Sequence, residues 1–75
     1  MDFSILESAG MDLLREDLSF ISHLLWRSNP AEQSSLIHQY AVVWRQAMDA
    51  VEVPHRKQNA GRRAANGWLR QQVSR

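Results

Sequence analysis

Three histidines, His23, His38 and His55, and eight carboxylates are the side chains of this 75-residue chain that could move protons or hold a metal ion. The histidines are scattered. No two stand at the i, i+4 spacing that places two metal ligands on one helical face. Cysteine is absent, which removes thiolate nucleophiles, thiolate metal sites and disulfides together. The densest acidic group, Asp12, Glu16 and Asp17, has the spacing of a solvated helix face. Asp12 and Glu16 repel mildly at i, i+4, and Arg15 beside them relieves it. Gly61 and Gly67 lie among helix-forming residues and follow no strand, so they do not make a phosphate cradle. No catalytic residue, cofactor or metal is expected, and the chain reads as non-enzymatic.

One constellation does carry chemistry. The segment from His55 to Arg75 holds six basic residues and no acidic one, although the formal net charge of the chain is only +1. Residues 1–52 contain all eight acids against Arg15, Arg27 and Arg45, and residues 53–75 contain Arg56, Lys57, Arg62, Arg63, Arg70 and Arg75. Such a split points to an anionic partner, or to pairing within the fold or between subunits. Arg56, Asn59, Arg63, Asn66 and Arg70 step by three and four, which places them on one helical face. Arginine and asparagine suit guanine and adenine edges in a major groove. Lys57, Arg62 and Arg75 could reach flanking phosphates, contacts that fix register without reading sequence. Equally, the same face could dock on an acidic protein, or meet Asp12, Glu16 and Asp17 through Arg62, Arg63 or Arg70. Trp26 and Trp68 are candidate interface anchors, because tryptophan and arginine dominate many interfaces.

The elements that must position these residues are helical. Pro30 and Pro54 divide the chain into three segments of similar length. The pattern predicts an all-α, three-helix bundle with helices at about 5–27, 30–52 and 54–73, the first two forming an antiparallel hairpin. In the first, Ser4 and Glu7 have the spacing of a capping box. Met11, Leu14, Leu18, Ile21 and Leu25 then mark one stripe, and Leu13, Phe20 and Leu24 widen it. Gly10 weakens the early turns, so residues 1–7 are alternatively a flexible arm, with the helix starting near Ser8. Asn29 and Pro30 are suited to N-cap and first position of the second helix, and Glu32 to its dipole. Ile37, Tyr40, Trp44, Ala47 and Val51 form its inner stripe, flanked so widely by apolar residues that this helix is expected at the centre. The third helix has small inward residues, Gly61, Ala64 and Ala65, which admit a close neighbour, with Trp68 and Leu69 further along.

A single domain of this size, without disulfide or metal, is expected to be stable by only about 3–5 kcal/mol. No apolar run approaches the roughly 20 residues that span a bilayer, and Asp2 and Glu7 stand where a secretory signal carries Lys or Arg. A cytoplasmic protein without small-molecule substrate is the expectation. The leading reading is a small accessory or regulatory protein that binds a larger protein or forms a homodimer, using the basic helix and the exposed aromatics. The alternative is a DNA- or RNA-binding regulator reading through the Arg/Asn face.

Overall fold

The computed structural model describes residues 3–73, and these contain helices and no strand. Their order is α1 (Ser4–Ser8), α2 (Arg15–Leu25), α3 (Pro30–Asp49), a 3-10 turn (Pro54–Arg56) and α4 (Lys57–Val73). The all-α reading holds, and the segment expected as one helix from residue 5 to 27 is two. Gly10 has φ 75°, a left-handed conformation that ends any right-handed helix and suits a residue without a Cβ. The chain then makes a tight turn, the Leu13 N–H donating to the Met11 carbonyl at 3.1 Å, and is extended at Leu14 before α2 begins.

Local chemistry explains how the helices begin. The Asp17 carboxylate, at the third position of α2, accepts the Leu14 N–H at 3.0 Å, so the first turn is closed by a carboxylate reaching back. Leu14, expected in the core stripe, is 45% exposed because it lies outside the helix as its N-cap residue. The capping box expected from Ser4 does not form: Ser4 is already helical, and the cap residue is Phe3. Asn29 does cap α3, its Oδ1 accepting the Glu32 N–H at 2.8 Å, with Pro30 at the first position. α3 stops at Asp49, three residues short of the expected end. Pro54 then opens the 3-10 turn that leads directly into α4.

The core gathers Leu6, Met11, Ile21, Leu25, Ile37, Tyr40, Trp44, Ala65 and Leu69. Of residues 1–7, expected alternatively as an arm, 1–2 lie outside the described residues, while Leu6 is fully buried and α1 packs on α3. α4 packs most extensively on α3 and, next, on α2, whereas the backbones of α2 and α3, joined by the short turn, meet little. The physical reason is size. At Gly61 a Cβ would stand 2.4 Å from Trp44 Cδ1 and 2.5 Å from its Nε1. The indole of α3 thus lies directly on the α4 backbone, a fit that only glycine permits.

Candidate functional site

The 3-10 turn and the basic helix α4 that follows it present two different sets of polar residues, and burial separates them. The first set is turned inward. Arg62 Nε donates to Asp17 Oδ2 at 2.8 Å, with the Asp17 side chain 4% exposed. Its Nη2 reaches the Asp12 carbonyl at 2.5 Å, Nη1 the Asn59 Oδ1 at 2.7 Å, and the guanidinium lies 5.3 Å from the Trp44 ring centroid. Asn66 Nδ2 donates to Asp17 Oδ1 at 3.3 Å, and Asn66 Oδ1 accepts from the Tyr40 hydroxyl at 2.5 Å. Tyr40 is fully buried. Burial pushes its phenol well above the ordinary range, the Asp17 carboxylate adds to this, and Arg62 opposes it. The hydroxyl therefore stays protonated and acts as a donor.

A second network lies beside the first. Gln58 Oε1 accepts from Trp44 Nε1 at 3.1 Å and from the Asp12 N–H at 3.0 Å, while its Nε2 donates to the Gly10 carbonyl at 3.4 Å. The two networks pin α4 to the Gly10–Leu14 segment, the first turn of α2 and the inner face of α3. Among the described residues, no buried side-chain nitrogen or oxygen lacks a partner. Lys57 is likewise occupied. Its Nζ donates to the Met48 carbonyl at 3.1 Å and to the Val51 carbonyl, capping the C-terminal end of α3 with a cation.

The second set faces outward. Arg56, Asn59, Arg63 and Arg70 are exposed. Arg70 leans toward α2, its guanidinium 5.3 Å from the Phe20 ring centroid. Among the described residues, the side chains of Arg56 and Arg63 make no hydrogen bond, ion pair or ring contact. With Asn59 they line a shallow groove floored by Val51, Val53 and Ala60 at the corner where α3 gives way to α4. Val53 is 40% exposed there. Asp49 and Glu52 are exposed nearby in sequence but do not line this groove.

Sequence spacing thus placed Arg56, Asn59, Arg63, Asn66 and Arg70 on one stripe, and the fold divides it. Asn66 and Arg62 belong to the internal network, Lys57 to the end of α3, and only Arg56, Asn59, Arg63 and Arg70 remain at the surface. Of the acidic cluster, Asp17 receives Arg62, Asp12 contributes its backbone, and Glu16 is exposed. The buried role of Asp17 had a signal in the sequence. It precedes Ile21 and Leu25 at four-residue steps, on the stripe that packs inward. Gln58 had none, because its position depends on where the Gly10 turn lies.

The two candidate anchors also part. Trp68 is half-buried and packs against the core. Trp26, in the turn after α2, is 63% exposed, with the Arg27 guanidinium 4.7 Å from its ring centroid. His23 and His38 are exposed, and His38 Nδ1 lies 2.8 Å from the Ser34 carbonyl, to which it donates. Among the described residues, no three His, Cys, Asp or Glu side chains cluster closely enough to hold a metal ion. No helix among them is long and apolar enough to cross a membrane. No family model, no curated protein and no solved structure matches this chain significantly.

Proposed function

We propose that this chain is a small, non-enzymatic accessory or regulatory module that docks on an acidic segment of a larger protein. In this reading α2, α3 and α4 are a three-helix scaffold, with α2 and α3 its hairpin, and the groove at the α3–α4 corner is the docking surface. The observation that carries it is the pairing of two arginines unengaged within the fold, Arg56 and Arg63, with the apolar floor of Val51, Val53 and Ala60. Burial of that floor supplies the attraction, at roughly 25 cal/mol per Å² of apolar surface removed from water. The rim arginines choose the partner, rewarding carboxylates and penalising cations, while each rim pair adds only about 0.2–1 kcal/mol.

The nucleic-acid reading draws less support from the same geometry. Lys57, Asn59, Arg62 and Asn66, all needed for that reading, already have hydrogen-bond partners inside the chain, and Arg70 leans on the Phe20 ring. Helix α4 also packs against both α2 and α3, which limits how deeply it could enter a groove of duplex DNA.

A display library of random peptides, selected on the wild-type chain, separates the two readings. Enriched sequences should place Asp or Glu beside apolar residues, and should lose binding to an Arg56→Glu/Arg63→Glu chain that is as stable as wild type. The chain should also leave duplex DNA unshifted at low salt. If instead it binds DNA with a steep salt dependence that the double reversal abolishes, the protein-docking reading fails and the nucleic-acid reading takes its place.

A further inference from the structure

The end of the bundle where α2 turns into α3 carries a second surface, independent of the basic groove. Trp26 is the most exposed large apolar side chain of the described residues. Arg27 stacks over its ring and also lines an open groove with Leu24, Glu32, Leu36 and Val73. Leu24, Leu36 and Val73 pack partly on the core and offer their remaining surface to this groove.

We propose that this end recognises a second copy of the same chain, the Trp26 indole of each copy seating in the Leu24–Leu36–Val73 groove of the other. A two-fold interface sets a patch against itself, so the patch must contain its own complement. This one does, twice over. It holds a protruding indole beside a groove in which Leu24, Leu36 and Val73 alternate with the polar Ser28 and Gln72, and a cation beside a carboxylate. In the two-fold arrangement Arg27 of each copy faces Glu32 of the other. Glu32 is prepared for that role, because its Oε1 accepts from Asn29 Nδ2 at 3.0 Å and Oε2 has no hydrogen bond among the described residues. By contrast, the Arg56–Arg63 groove has no carboxylate in its lining and would repel its own image. The gain from self-association is also largest for a chain this small, whose single core supplies only about 3–5 kcal/mol.

Sedimentation equilibrium of the full chain, read together with circular dichroism, tests the proposal. Wild type should show a concentration-dependent monomer–dimer equilibrium. Trp26→Ala, at an exposed position that the fold does not need, should keep the helical spectrum and raise the dimer dissociation constant at least about 30-fold, as loss of an interface hot spot does. Arg27→Glu and Glu32→Arg should each be monomeric alone, and an equimolar mixture should restore a 1:1 dimer, since opposite charges then face each other again. A wild-type chain that stays monomeric at millimolar concentration overturns the proposal. So does a dimer unaffected by Trp26→Ala, or one broken by Arg56→Glu/Arg63→Glu instead, or single charge reversals that the mixture does not rescue.

Discussion

The three glycines of this chain are chemically identical and should answer the same substitution in three different ways. Gly61→Ala is the decisive case. Its Cβ would lie 2.4–2.8 Å from three atoms of the Trp44 five-membered ring. Trp44 cannot swing aside, because it is fully buried and its Nε1 is tied to Gln58 of the same helix α4. α3 and α4 must separate instead. Overpacking of this kind costs typically 1–3 kcal/mol, and a rigid ring at this distance puts the cost near about 3. Replacing glycine by alanine in a helix returns about 1 kcal/mol. The net loss is about 2 kcal/mol, which lowers Tm by roughly 8–16 °C for a domain of this size. Gly67→Ala reverses the sign. Its Cβ meets nothing within 4 Å and its φ is helical, so the propensity gain of about 0.5–1 kcal/mol stands alone and Tm rises by several degrees. Gly10→Ala also meets open space, yet φ 75° strains any residue with a Cβ, by about 1–2 kcal/mol. Thermal and urea unfolding followed by circular dichroism would rank the variants as Gly67→Ala, wild type, Gly10→Ala, Gly61→Ala. A Gly61→Ala chain as stable as wild type would show that the α3–α4 backbones are not in this contact. A double substitution with Trp44→Leu should cost less than the sum of its parts, because the clash is shared.

Other consequences of the internal network are equally direct. Asp17→Ala removes the acceptor of Arg62, Asn66 and the Leu14 N–H together, and should cost at least about 3 kcal/mol, most of the stability of the chain. Glu16→Ala, one residue away but exposed, should stay within about 0.5 kcal/mol of wild type in the same urea titration. Tyr40 is more strongly protonated in the folded state than in the unfolded one, so its contribution is full below about pH 10 and is lost as pH rises through and above that value. Tm measured from pH 8 to 11 should therefore fall less steeply in Tyr40→Phe, which starts lower at neutral pH for lack of the hydrogen bond to Asn66. Equal alkaline slopes for the two chains would mean that Tyr40 is not buried.

Apolar periodicity, caps and composition were enough to determine that this chain is helical, that Pro30 opens α3 under an Asn29 cap, and that Gly61 and Ala65 admit a close neighbour. These features are local: each depends on residues within one or two turns, so spacing alone expresses them. The same logic places Arg56, Asn59, Arg63, Asn66 and Arg70 on one stripe, because a helix fixes relative azimuth. What periodicity does not contain is the rotation of that stripe against the other helices. The Gly10 turn splits the first segment, brings Asp12 and Asp17 over α4, and so draws Arg62 and Asn66 inward while Arg56 and Arg63 stay outside. That division follows from long-range packing, in which one buried carboxylate must find its donors wherever the chain places them. Only the tertiary structure decided which charges hold the fold together and which are left at the surface.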